Sequence, residues 1–282
     1  MSKIALVTDS TAYIPKDLVE KYKLNVAPQV VIWGDKTYED GVDIQPIEFY
    51  ERLSKASVMP STSQATIASF EKIYRRLLEE DYEILTIVIS DKLSGTMNSA
   101  IQAREMFSNA PIEIVDSRAV AMALGFQVLS VAKARDEGAN MAELVQIAQK
   151  ASNHTGVIFA VDTLEFLHRG GRIGGGKRFL GTALKIKPLL ELRDGSIEAL
   201  EQVRTRKKSM QRLVELLEER TAGKSPVRLA TLHANAYDDA RELLSMATER
   251  IQSVESVFSE VSPAVGTHAG PGTVGLAFMA GM

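Results

Sequence analysis

The chain has 282 residues, 45% of them hydrophobic and 24% charged, with a formal net charge of −3. That length exceeds one ordinary core and predicts a globular protein of two domains. The slightly acidic balance offers no basic face for nucleic acid, and the lack of cysteine excludes disulfides and thiolate metal sites.

The N-terminal Met1-Ser2-Lys3-Ile4 runs straight into a strand-like segment, which leaves no room for a signal peptide. No run of about 20 apolar residues occurs, so no transmembrane segment is expected. A cytoplasmic protein is predicted, with at most transient membrane-surface contact. His154, His168, His233 and His268 have no metal-ligand spacing, and no cofactor is expected.

Lys3 to Val7 reads as a strand ending in the polar turn Thr8-Asp9-Ser10-Thr11. Pro15 suits the first turn of a helix reaching Tyr22. Val26 to Trp33 reads as one strand, and Gly34 to Ile44 as a hairpin or surface loop. Pro46 to Lys55 has helical spacing, with Ile47, Tyr50 and Leu53 on one face. The run Pro60-Ser61-Thr62-Ser63-Gln64 then precedes a helix over 66–79. Three consecutive hydroxyl residues exceed what one N-cap requires.

Ile84 to Ile89 is a β-branched run suited to a strand buried on both faces of a parallel sheet. The turn Ser90 to Thr96 leads from it into a helix beginning near Met97. A loop at the carboxyl end of a parallel strand, opening a helix, is where open α/β sheets bind ligands. Ser94, Gly95 and Thr96 therefore define a candidate anion site; a capping serine with a turn glycine is the alternative. Ile112 to Val115 adds a strand, and helices follow over 120–136 and 141–151, separated by Gly138.

Thr155 to Val161 reads as a buried strand, and Thr163 to His168 as helical. Gly171 to Lys177 has the spacing of a phosphate-binding loop, but Arg178 stands where Ser or Thr would hold magnesium. Nucleotide binding is rejected here, and the segment reads as a flexible linker in which Arg169 and Arg172 could carry charge into a cleft. Lys187 to Leu192 and Ser196 to Arg204 flank Asp194-Gly195, a two-residue hairpin turn. A helix over 206–220, a strand over 227–233, a helix over 238–250 and strands over 254–261 and 275–280 complete the chain. Gly266 to Thr273 reads as a second glycine-rich loop, with His268 a candidate hydrogen-bond donor to an anion.

Several motifs fall in a recognisable order: Thr8-Asp9-Ser10, Pro60 to Gln64, Ser94-Gly95-Thr96 with Ser99-Ala100, and Asp116-Ser117. Leu164 to Leu167 with Arg169 to Ile173, Lys187-Pro188, and Gly266-Thr267-His268 with Gly270-Pro271-Gly272 complete the set. The chain resembles the DegV family, the bacterial fatty-acid-binding proteins that serve as the FakB subunit of fatty acid kinase. The resemblance implies a DegV-like α/β fold of two domains. The first, 1–153, is an α/β/α domain on a parallel sheet; the second, 154–282, is an α/β domain with a mixed sheet. A long-chain fatty acid lies between them.

It further implies a carboxylate held by Thr62, Ser63 and Ser94, the Gly95 backbone N–H and His268. Ser61, Thr96, Arg172, Phe159 and Leu164 are further ligand-contact candidates. Other expected tunnel walls are Ile158, Phe166, Leu180, Leu184, Ile186, Leu189 and Phe278. Met97 stands where the family usually has tyrosine, which would alter the tunnel wall. Arg204, Arg206 and Lys207 are implied contacts for a fatty acid kinase catalytic subunit, which would phosphorylate the bound carboxylate. The alternative is a serine/histidine hydrolase or phosphotransferase using Ser94 and His268, with Asp9 or Asp116 as acid partner.

Overall fold

The structure, a computed structural model, describes residues 3–181 and 186–282. In chain order it begins with β1 (Lys3–Asp9), α1 (Lys16–Lys21), β2 (Asn25–Ala27), β3 (Val30–Trp33) and β4 (Lys36–Glu39). Next come α2 (Pro46–Leu53), β5 (Ser61–Ser63), α3 (Ile67–Glu79), β6 (Tyr82–Val88), α4 (Thr96–Glu105) and β7 (Ile112–Asp116). Then follow α5 (Met122–Asp136), α6 (Met141–Ala151), β8 (Thr155–Ala160), α7 (Glu165–Arg169), β9 (Lys187–Arg193) and β10 (Ser196–Val203). The chain ends with α8 (Arg206–Thr221), β11 (Val227–His233), α9 (Tyr237–Arg250), β12 (Glu255–Glu260), α10 (Pro263–Ala269) and β13 (Val274–Ala280).

These strands form three sheets. A parallel sheet has the order β2-β1-β6-β7, a mixed sheet the order β10-β9-β8-β13-β11-β12, and a small antiparallel sheet the order β4-β3-β5. A division at 153/154 leaves the six-stranded sheet wholly on the C-terminal side, yet α5 bridges the halves. It packs on β1 and β6 from one half and on β8, β11 and β13 from the other. Covered from both sides, the first half of α5 is buried all round, with Met122, Leu124, Phe126 and Val128 fully buried, and its charged residues fall in the last turns.

Several expected elements differ from the structure. The run 26–33 is two strands in different sheets, because Pro28-Gln29 breaks the pairing. Ser61 to Ser63 form a strand paired to β3, and Thr66 caps the helix, accepting from Ser69 N. Ile47 lies outside the buried face of α2, where Phe49 joins Tyr50 and Leu53.

The segment 174–179 is a 3₁₀ turn packed on β10 rather than a flexible linker. A side chain at Gly174 would come within 2.2 Å of Ile197 O, so glycine permits that contact. The expected loop 266–273 begins inside α10, which Pro263 opens at its first turn and Gly270, at φ 77°, closes. Among the described residues, no helix is long and apolar enough to cross a membrane.

Candidate functional site

An interior cavity of about 900 Å³, its open mouth included, lies between the parallel and mixed sheets. Most of its wall is apolar. Val157 and Phe159 of β8, Leu192 of β9, Ile197 of β10 and Leu232 of β11 come from one face of the mixed sheet. Ile89, Leu93 and Val120 come from the loops that end β6 and begin α5. Ala264, Val265, His268 and Ala269 present one side of α10, since positions four apart share a helix face.

The polar groups gather where β5, the loop after β6 and the end of α10 meet. Thr62 Oγ1 lies 2.6 Å from His268 Nε2. Ser94 Oγ lies 2.8 Å from Thr96 Oγ1. Ser63, Gln64 and Arg172 also line the cavity here, and Arg172 carries the one full positive charge in the described lining. Its guanidinium is aimed by bonds from Nε to Leu93 O (3.0 Å) and from Nη1 to Gly170 O (2.7 Å). Ser63 and Gln64 are exposed as well as lining the cavity, so this is the end open to solvent.

Burial holds His268 neutral, pushing its pKa from 6.5 down to about 4, with the Arg172 charge adding to the effect. Its Nδ1 is buried and has no hydrogen-bond partner among the described residues. The ring rests against Gly170, where a Cβ would fall 2.0 Å from Nδ1. The glycine of Arg169-Gly170 is therefore a requirement of the histidine's position. A neutral imidazole donating from Nε2 to Thr62 leaves the threonine's own proton free for a ligand in the cavity.

Behind this end, Asp9 is fully buried. Its Oδ1 accepts from Thr11 N (3.0 Å), Thr11 Oγ1 (2.6 Å) and Gln29 Nε2 (3.2 Å), and its Oδ2 from Ile89 N (2.7 Å). Burial raises the carboxyl pKa while these bonds oppose the rise.

The structure thus brings Thr62, Ser63, Ser94, Arg172, His268 and Phe159 to one cavity. Thr96 stands just behind Ser94, fully buried. Gly95 and Ser61 are exposed and outside the lining, and Gly95 packs under the Gln64 side chain. Leu164 is core without lining the cavity. Of the other expected tunnel walls, Ile158, Leu189 and Phe278 lie on the opposite face of the mixed sheet, with Leu213 and Leu217 of α8. Phe166, Leu180 and Ile186 are likewise outside the lining, and Leu184 falls outside the described residues. Arg204 is exposed, whereas Arg206 is engaged with Asp239 at 2.8 Å. Gln29, Tyr13 and Val261, which line the cavity, carried no motif; Gln29 alone left a trace, as a polar residue within an apolar run.

Fold and site together define an α/β protein with a mostly apolar cavity between its parallel and mixed sheets. The family described as "Uncharacterised protein, DegV family" matches residues 3–281, and the chain belongs to that family. A DegV domain-containing protein of Streptomyces coelicolor is 38% identical over 276 residues, covering 97% of each chain. A DegV family protein from Thermus thermophilus, whose structure is described as fatty acid binding, superposes with TM-score 0.94 at 33% identity over 99% of both chains. DegV of Bacillus subtilis, described as a fatty acid binding protein, gives TM-score 0.90 at 32% identity, covering 99% of this chain and 100% of that one.

Proposed function

We propose that this protein binds a long-chain fatty acid in the cavity, holds its carboxylate at the open end, and presents it to a kinase subunit for ATP-dependent acyl phosphate formation. The observation that carries this reading is a mostly apolar cavity in which Thr62, Ser94, His268 and Arg172 gather beside the solvent-exposed Ser63 and Gln64. The fatty acid binding described for two relatives of the same fold supports it.

The acyl chain gains about 0.8 kcal/mol for each CH₂ removed from water, so the apolar wall supplies most of the affinity. The carboxylate, partly withdrawn from water, needs donors to offset its desolvation. Thr62 and Ser94 hydroxyls provide them, and Arg172 balances the charge. With its carboxylate towards solvent, the ligand can reach a second protein: a carboxylate oxygen attacks the γ-phosphorus of ATP, and ADP leaves. Arg204 and Lys207, exposed at the start of α8, are proposed contacts for that partner.

A serine/histidine hydrolase fits less well. Its histidine would take the serine proton and be oriented by an acid, whereas His268 Nε2 contacts Thr62 and Nδ1 has no partner among the described residues. Organic extraction and mass spectrometry of protein purified from lipid-replete cells should recover about one fatty acid per chain. Recovery of none, with no binding of added palmitate, would overturn the proposal.

A further inference from the structure

Gln29 sits between β2 and β3, 4% exposed, and lines the cavity. Its backbone is pinned on both sides: its N–H donates to Ser10 Oγ (3.0 Å), and its carbonyl accepts from Asp40 N (2.9 Å). The side-chain amide joins three separate segments. Nε2 donates to Asp9 Oδ1 (3.2 Å) and Thr96 Oγ1 (2.9 Å), and Oε1 accepts from Ala65 N (3.2 Å). These partners fix which way the amide points, because Asp9 needs a donor and the Ala65 N–H needs an acceptor. Gln29 therefore ties the segment after Thr62-Ser63-Gln64 to the segment that carries Ser94.

The hydrogen-bond order follows. Thr96 has one hydroxyl proton and two acceptors within reach, Ser94 Oγ at 2.8 Å and Gln29 Oε1 at 3.2 Å. Oε1 already accepts from Ala65, and Thr96 Oγ1 already accepts from the Gln29 amide. The relay proposed below gives the Thr96 proton to the shorter contact, to Ser94. Ser94 Oγ also accepts from Thr96 N at 3.3 Å. With its oxygen so occupied, Ser94 has its own proton left for the cavity. If the order ran the other way, Ser94 would present only lone pairs to an anion.

We propose that Gln29 is a positioning residue for the carboxylate end, aligning a relay from its amide through the Thr96 hydroxyl to Ser94 so that Ser94 donates to the ligand. The inference rests on the fatty-acid reading above and extends it to a lining residue that the reading leaves without a part in holding the carboxylate. It makes Gln29 matter for the charge of the headgroup and not for the acyl chain.

The test measures equilibrium binding of palmitate and of hexadecanol, which shares the chain but has no charge. Gln29→Met, similar in length but without donors, should weaken palmitate on the order of tenfold, the scale of one hydrogen bond to a charged group, and leave hexadecanol within about twofold. Thr96→Val should give the same split, and in the Gln29→Met background it should add little, because both break one relay. Equal weakening of both ligands would mean a merely structural role and would overturn the inference, as would no change in either or full additivity of the two substitutions. If Gln29→Met does not fold, the Thr96→Val split decides alone. Wild-type protein that binds neither ligand would overturn the fatty-acid reading and this inference with it; wild type that binds both, with no split in the variants, overturns this inference only.

Discussion

The two halves of the molecule serve the cavity through different parts of their sheets. The parallel sheet contributes the loops beyond its strand ends, with Thr11 and Tyr13 after β1 and Ile89, Leu93 and Ser94 after β6, while the mixed sheet contributes a face. Loops can carry hydroxyls and free N–H groups, because their backbone is not committed to a ladder. A sheet face instead presents every second side chain of each strand. That division keeps the mixed-sheet wall apolar, while the polar end also draws Thr62 from β5 and Arg172 and His268 from the C-terminal half. It also assigns neighbouring residues of β8 to different tasks, because Val157 and Phe159 face the cavity and Ile158 and Ala160 face α8.

Alternation along β8 gives the largest expected effect. Ile158→Ala should lower stability by about 2–5 kcal/mol, read by urea unfolding, and leave the bound lipid unchanged. Phe159→Ala should change the amount or length of the fatty acid recovered by mass spectrometry. An equal change in recovered lipid from both variants would break the two-face assignment.

The polar end can be tested by pH. His268 has a folded pKa of about 4 against an ordinary 6.5. Between those values the unfolded chain takes up a proton that the folded chain refuses, so stability conferred at neutral pH is lost as pH falls through the window. Over that range wild type should lose roughly 3 kcal/mol relative to His268→Asn. Asp40 works in the opposite sense. Burial raises its pKa to about 6, so protonation favours the folded chain as pH falls, but it is present in both proteins and cancels in the comparison. Parallel stability–pH curves for wild type and variant would mean that His268 is not held neutral by its surroundings.

The parts legible in the sequence are those where local chemistry decides. Asp194-Gly195 turns the β9–β10 hairpin with φ of 49° and 81°, and the apolar run over 84–89 supplies the centre of a parallel sheet. Ser94 and Thr62 were legible as surplus hydroxyls and, with His268, as motifs of a known family. The cavity wall was not. Ile158 and Phe159 are equally apolar, and only the pairing of β8 with β9 and β13 decides which of them faces inward. Nor was α10 legible, since Gly266 and Gly270 suggest a loop. Its helix is held by packing, and a Cβ at Gly266 would fall 2.4 Å from the Tyr50 hydroxyl.

The smallest effect is expected where the two halves touch directly. The hairpin turn of the mixed sheet rests on the loop after β6: Ser90 Oγ donates to Gly195 O (2.9 Å), and Lys92 Nζ donates to Asp194 O (2.8 Å). Arg118 pairs with Asp194 at 3.1 Å, an exposed contact of little weight. Ser90→Ala should cost roughly 1 kcal/mol, the net value of one buried hydrogen bond. A Cβ at Gly195 would fall 2.4 Å from Ser90 Oγ but 3.4 Å from Ser90 Cβ. Gly195→Ala should therefore cost less in the Ser90→Ala background than in wild type, because the clash goes with the hydroxyl and only the backbone penalty at φ 81° remains. A double-mutant cycle on unfolding free energies measures the difference. Strict additivity would show that the turn does not bear on Ser90, and would leave the bonds from Arg172 to Leu93 and from Lys92 to Asp194 as the ties between this loop and the other half.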